Sequence, residues 1–146
     1  MKRWISLSLV AALALGLYGR TRAAEEGMRG STSAVRKEIV ATIEAQLAAF
    51  RAGDIAQAHS LASTLLRRQR PLAAFATIVE QNYPEIWTNT GAEFGLARDD
   101  GEQAAMVVLV QGVEKKASYD FFLVKERVGW RISGVLKRVT GKGGKV

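Results

Sequence analysis

Carboxylates and tyrosines are the residues of this chain whose types could carry out proton transfer. An aspartate or glutamate base beside a tyrosine that donates a hydrogen bond can abstract a proton next to a carbonyl group. The candidates are Asp120 or Glu85 as the base, with Tyr119 or Tyr83 as the donor. Asp120 and Tyr119 are adjacent in a predicted strand, and adjacent strand residues point to opposite faces of a sheet. We therefore predict that these two residues do not share a pocket.

Solvated ion pairs are the simpler interpretation of these carboxylates. Asp120 has Lys116 and Arg131 as possible partners in the predicted strands, and such pairs on an exposed strand face contribute little to stability. Glu80 and Glu85 belong to the stretch "EQNYPEIW", where a helix is expected to give way to a sheet. We expect both to be solvated, and we predict no catalytic residue.

The remaining polar candidates are one histidine and one acidic cluster. His59 is the single histidine, so no histidine-based metal cluster is available, and a half-buried histidine on a helix is expected. Asp99, Asp100 and Glu102 surround a "DDG" turn, where aspartate accepts backbone hydrogen bonds. Calcium requires more oxygen ligands than this cluster offers. We predict no metal and no cofactor.

Aromatic residues recur at helix and strand spacing, and the simpler interpretation is that they pack in the core. The alternative is a pocket for a small lipophilic ligand, oriented by the hydroxyl groups of Tyr83 and Tyr119. The predicted ligand-binding residues are Tyr83, Trp87, Tyr119 and Trp130.

The positive charge of the chain belongs to its two ends. The 146 residues have a formal net charge of +7, which would suit nucleic acid or an anionic membrane. Residues 25–136, however, hold 13 basic and 14 acidic residues. The basic stretch "RRQR" (67–70) contains no aromatic residue for base stacking and is typical of a solvated helix end. We predict no nucleic-acid partner.

The first 24 residues have the pattern of a signal peptide. Lys2 and Arg3 precede an apolar run of 14 residues, 4–17, which is shorter than the roughly 20 residues of a membrane span. Ala23 or Ala24 offers a cleavage site. We expect export to the periplasm or out of the cell. The alternative is an uncleaved N-terminal anchor, which would be the contact with a membrane.

The rest of the chain reads as one domain. Residues 25–33 are predicted to be a linker, residues 34–139 a single domain, and residues 140–146 a disordered basic tail. The chain contains no cysteine, so it has no disulfide framework and no thiol chemistry.

Apolar periodicity predicts three helices in the first half of this domain. The first carries a stripe at three- and four-residue steps, formed by Ile39, Ile43, Leu47 and Phe50. Residues 31–33 offer three possible caps for it, and Gly53 ends it. A second helix begins at Asp54, where a capping-box spacing occurs. A third begins at Pro71 and stops before Pro84.

An antiparallel sheet follows the helices. Four strands are predicted, near residues 92–98, 103–112, 116–125 and 129–138. Alternation places Ile132, Gly134 and Leu136 on one face of the last strand and Lys137 on the other. The second strand contains "AAMVVLV", which is apolar on both faces. Because the helices of the chain can cover one face only, we predict a homodimer through the other face.

The order of three helices and then a sheet resembles the nuclear transport factor 2-like, cystatin-like cone. In this α+β fold, three N-terminal helices pack on a strongly curved, four-stranded antiparallel sheet. The phrases "AAFRAGD" and "YPEIW", together with "FGLARDDG" and "GWRISGVL", resemble a bacterial family of that superfamily, domain of unknown function 4864. The resemblance spans roughly residues 35–138 and implies a fold without a chemical activity.

The function that we predict is a non-catalytic module that binds a ligand or takes part in an assembly. One alternative is an enzyme of the isomerase or dehydratase type that acts on a small lipophilic carbonyl compound. Another is a peripheral protein that binds anionic membranes through the basic tail and "RRQR".

Overall fold

The computed structural model describes residues 27–139 of the chain. The predicted signal peptide (1–24) and the predicted tail (140–146) lie outside the described residues. The described part is an α+β fold, as predicted, with helices in its first half and an antiparallel sheet in its second.

Residues 27–139 form five helices and five strands where the sequence predicts three and four. In chain order they are β1 (Arg29–Gly30), α1 (Ser33–Arg51), α2 (Ile55–Ser60), α3 (Thr64–Gln69), α4 (Leu72–Asn82), α5 (Pro84–Trp87), β2 (Gly91–Asp99), β3 (Gln103–Gln111), β4 (Lys116–Glu126) and β5 (Gly129–Lys137).

Helix α1 follows its predicted stripe. Ile39, Ile43 and Leu47 are fully buried and Phe50 nearly so. Of the three possible caps, the structure uses Thr32, whose hydroxyl accepts a hydrogen bond from the backbone N–H of Val35 at 3.2 Å. This cap satisfies one of the four N–H groups that a helix start leaves unpaired.

The predicted second helix is two short helices, because strand β5 interrupts it. The backbone N–H of Ile132 donates to the carbonyl of Leu61 at 3.0 Å, and the N–H of Ser63 donates to the carbonyl of Ile132 at 2.8 Å. These bonds replace helical ones and end α2. The Ser63 hydroxyl then accepts from the N–H of Leu66 at 3.1 Å and starts α3.

The third predicted helix, α4, ends at Asn82, and Pro84 begins the one-turn helix α5. A proline excludes the helical conformation at the residue before it, yet it is well suited to a first helical position. Pro84 therefore ends one helix and starts the next, with Tyr83 between them.

The segment 25–33, predicted to be a linker, contains strand β1. Arg29 pairs with Asp99 and Gly30 with Arg98 of β2, and the Ser31 hydroxyl donates to Asp99 Oδ1 at 2.5 Å. Residues 29–31 therefore bond to β2. Polar composition indicated a flexible segment, while pairing with a distant strand fixes it.

The five strands pair in chain order, each antiparallel to the next. The pairing of β4 with β5 shifts its register between Phe122 and Leu123. Such a bulge reverses the side-chain alternation beyond it. The predicted alternation of β5 therefore holds at Ile132, whereas Lys137, predicted on the opposite face, pairs with the fully buried Tyr119.

The core lies between the helices and one face of the sheet. Ala104, Met106, Val108 and Val110 of β3 are buried on that face. On the other face of the same strand, Val107 and Leu109 are half-buried. No helix within residues 27–139 has the length and apolarity needed to cross a membrane.

Candidate functional site

A cavity of about 850 Å³ lies between α3, α4 and the β4–β5 part of the sheet. Its volume falls in the range of small-molecule sites, which are mostly apolar with a few polar groups. The apolar side chains that line it include Leu65, Leu66, Phe75, Ile78, Val79, Phe122, Val124, Ile132, Val135 and Leu136.

Two local features open this space. The interruption of the helix at residues 61–63 places α3 beyond the edge of β5, so that α3 and α4 form a wall facing the sheet. Gly134 of β5 has no side chain to fill the gap, and a Cβ there would come no closer than 4.0 Å to the ring of Phe122. The cavity follows β5 from Ile132 to Leu136, which is about 13 Å at the usual rise of a strand.

Three charged residues line the cavity within the described part of the chain, namely Arg68, Arg70 and Glu126. Both oxygens of the Glu126 carboxylate accept hydrogen bonds from Thr64, one from its backbone N–H at 2.8 Å and one from its hydroxyl at 3.2 Å. It thereby joins the Ser63 cap at the start of α3. The two guanidinium groups leave this wall with an excess of positive charge.

Arg70 ends α3 and is held there through its backbone. Its N–H donates to the carbonyl of Leu66 at 2.8 Å, and its own carbonyl lies 2.8 Å from His59 Nε2. His59 is half-buried on α2, as predicted, with its ring 5.0 Å from that of Phe75. The Arg70 side chain is half-buried, and its guanidinium donates to the adjacent carbonyl of Gln69 at 3.2 Å.

Tyr83, a predicted ligand-binding residue, lines the cavity. Its hydroxyl donates to the carbonyl of Val135 at 3.2 Å. Burial raises the pKa of Tyr83, and the positive charge of Arg70 opposes that rise.

Gln103 contributes a polar atom that lacks a partner. Its side chain lines the cavity, and Oε1 is the one buried side-chain nitrogen or oxygen in residues 27–139 without a hydrogen bond. A buried acceptor left unpaired is costly, and in native proteins such groups are rare. A donor group inside the cavity could satisfy it.

The other three predicted ligand-binding residues lie elsewhere. Trp87 packs on Phe50, with ring centres 5.9 Å apart. Tyr119 is fully buried, with its ring 5.9 Å from that of Tyr83. Trp130 is buried against α1. Its Nε1 donates to Glu38 at 3.2 Å, and the ammonium of Lys125 lies 5.2 Å from its ring centre.

Glu85 is buried, so the prediction that it is solvated is wrong. It is only 3% exposed, because α5 turns it toward the sheet and Gly112 lets the β3–β4 turn approach it closely. A Cβ on Gly112 would lie 3.1 Å from the Cα of Glu85. The Tyr119 hydroxyl donates to Glu85 Oε1 at 2.6 Å, and Lys137 Nζ lies 3.1 Å from the same oxygen.

Glu85, Tyr119 and Lys137 form a buried cluster in which the pKa values of Glu85 and Tyr119 move in opposite directions. Burial raises the pKa of Glu85, but the hydrogen bonds from Tyr119 and Lys137 outweigh burial and hold that pKa below its ordinary value. Burial, together with the hydrogen bond to Glu85, raises the pKa of Tyr119. A general base works best with a pKa near the working pH, so an ionised Glu85 with two donors is poorly suited to that role.

Asp120 does not pair with Lys116 or Arg131, so that prediction is wrong. It forms a two-pronged ion pair with Arg138, whose Nε lies 3.0 Å and 3.1 Å from the two carboxylate oxygens. The backbone N–H of Arg138 donates to Ser118 at 2.8 Å, which extends the pairing past β5 and brings Arg138 alongside Asp120. Arg131 instead donates to the carbonyl of Trp130.

The acidic "DDG" turn uses its carboxylates on its own backbone. Asp100 Oδ1 accepts from the N–H groups of Gln103 at 2.7 Å and Glu102 at 2.9 Å, and these bonds lower the pKa of Asp100. Across residues 27–139, no three side chains of the metal-binding types lie together in a group that could hold a metal ion.

Comparison with known proteins identifies the family and the fold. The model of the family described as Domain of unknown function (DUF4864) matches residues 32–142. A crystal structure of a domain of unknown function with a cystatin-like fold, from Nostoc punctiforme, is similar with a TM-score of 0.54 and 16% identity. The similarity covers 79% of this chain and 84% of that one. No curated protein matches the sequence.

Proposed function

Since this chain belongs to the DUF4864 family, whose name carries no activity, we propose a function from the cavity itself: the chain is a non-catalytic module that binds a small lipophilic molecule. The observation that carries the proposal is the 850 Å³ cavity between α3, α4 and the sheet, with its largely apolar wall. Binding there would remove apolar surface of the ligand from water, which contributes about 25 cal/mol per Å².

The positions of the carboxylates favour binding over catalysis. The two candidate bases are not among the lining residues of the cavity. Glu85 pairs with Lys137, and Asp120 pairs with Arg138. Glu126, which does line the cavity, caps α3 with both oxygens. A general base must reach the proton that it abstracts, and none of these three groups is placed to do so.

An uncharged fluorescent probe tests the proposal. N-phenyl-1-naphthylamine should bind the wild-type protein saturably at one site. Gly134→Phe should weaken that binding at least about tenfold, because the new ring would fill the space beside Phe122. Gly30→Phe is the matched control, since nothing lies within 4 Å of an added Cβ at Gly30. Non-saturable binding, or binding that Gly134→Phe leaves unchanged, would contradict the proposal.

A second candidate function is self-assembly through the outer face of the sheet. Val107 and Leu109 of β3 are half-buried on the face away from the core, and a second copy of the chain could cover them. Sedimentation at micromolar concentration should then show a dimer, and Leu109→Lys should dissociate it. A strict monomer for the wild type would remove this candidate.

Export stays a prediction that depends on residues 1–24 alone. Fractionation of cells that express the full chain should place the protein in the periplasm or the medium, and a cytoplasmic location would contradict the prediction.

A further inference from the structure

We propose that the ligand of the cavity is a lipophilic anion whose negative group is held at the end of α3 by Arg70, with Arg68 at the mouth. This inference rests on the proposed function and adds the chemical class of the ligand. It follows from the charges that face the cavity and from what each of them already binds.

The three arginines of "RRQR" have different surroundings. Arg67 is used by the fold, since its guanidinium donates to the carbonyl of Ala62 and approaches the Thr64 hydroxyl at 3.5 Å. Arg68 and Arg70 line the cavity instead. The stretch is therefore more than a solvated helix end, because two of its three cations face an apolar space.

The described cavity wall carries two positive charges and one negative charge. The one carboxylate among the described lining residues, Glu126, is taken by the start of α3. Within residues 27–139, neither Arg68 nor Arg70 forms an ion pair, and Arg70 donates only to the neighbouring carbonyl. A half-buried guanidinium without a carboxylate can form charge-assisted hydrogen bonds with an incoming anion.

The surroundings of Arg70 include both polar and apolar side chains. Asn82 and Tyr83 line the same cavity as Arg70, and the Tyr83 hydroxyl donates to the Val135 carbonyl of β5. Ile78 and Phe75 of α4 form the adjoining apolar wall. An anion at Arg70 would thus have its apolar part directed along β5, whereas a cation at the same place would be repelled.

Three ten-carbon probes that differ only in the head group test this inference: decanoate, decanol and decylammonium, each below its micelle concentration. Calorimetric titration should show decanoate binding at least about tenfold more tightly than decanol, and decylammonium most weakly. Arg70→Gln should remove the preference of the protein for decanoate over decanol and leave decanol binding unchanged. Arg70→Lys, which keeps the charge without the forked donors, should retain part of it.

Arg127→Gln is the matched control. Arg127 is exposed and is not among the lining residues, so this variant has the same change in net charge and should keep the preference. Equal affinity for the three probes would overturn the inference while leaving the proposed function standing. A preference that Arg127→Gln removes as fully as Arg70→Gln would also overturn it, since the cause would be the overall charge. If none of the probes binds, the proposed function itself fails.

Discussion

The buried Glu85 carboxylate makes Tyr119→Phe an informative substitution. The change removes the hydroxyl that donates to Glu85 Oε1 at 2.6 Å and keeps the fully buried ring. Glu85 then keeps the ion pair with Lys137. A hydrogen bond to a charged group contributes about 1.5–3 kcal/mol, so at pH 7 the free energy of unfolding should fall by about that amount. Urea unfolding of both proteins measures it.

The pH dependence identifies the cause. Because the folded protein holds the pKa of Glu85 below its ordinary value, the native state binds fewer protons than the unfolded state, and stability rises with pH across that interval. This contribution is present above the ordinary pKa of about 4.5 and is lost as the pH falls through the lower, folded value. The difference between the wild type and Tyr119→Phe should therefore shrink at low pH.

Tyr83→Phe provides the comparison. It removes a hydroxyl that donates to a neutral carbonyl, that of Val135, so it should cost about 0.5–1.5 kcal/mol, and this cost should not follow the titration of a carboxylate. If Tyr119→Phe costs less than about 0.5 kcal/mol, or if its cost is the same at pH 3 and pH 7, the argument for a charged, doubly bonded Glu85 is wrong.

Two further predictions concern the cluster of Glu85, Tyr119 and Lys137, and urea unfolding measures both. Gly112→Ala should cost about 1–3 kcal/mol, since its Cβ would lie 3.1 Å from the Cα of Glu85, while Gly30→Ala should be nearly neutral in the same assay. Above pH 10, the ordinary pKa of tyrosine, the wild type should lose the stability that the raised pKa of Tyr119 provides; Tyr119→Phe should lose less, and equal losses would argue against that raised pKa.

The elements that depend on local patterns could be predicted from the sequence. The stripe of α1 from Ile39 to Phe50 is buried as periodicity predicts, and Pro84 ends a helix as its ring requires. The "DDG" turn joins β2 and β3 where expected. Each of these signals lies within a few residues of the structure that it determines.

The features that make the candidate site depend on pairing between distant residues. Leu61 and Ser63 pair with Ile132 and divide a helix beside the cavity, and neither partner shows this in its local sequence. The bulge between Phe122 and Leu123 reverses the faces of β5 and brings Lys137 to Glu85. The residue type of Tyr83 indicates a ligand residue, whereas the sequence places Arg70 only at a helix end, because the neighbours of Arg70 across the cavity are not visible in the sequence.

The measurement that tests the central claim most directly is a crystal structure of the protein with decanoate. The claim predicts that the apolar chain lies along β5 from Ile132 to Leu136, with the carboxylate at hydrogen-bond distance, about 2.7–2.9 Å, from the guanidinium of Arg70. Decanoate bound elsewhere on the surface, or a cavity closed by the side chains of α3 and α4, would contradict the claim.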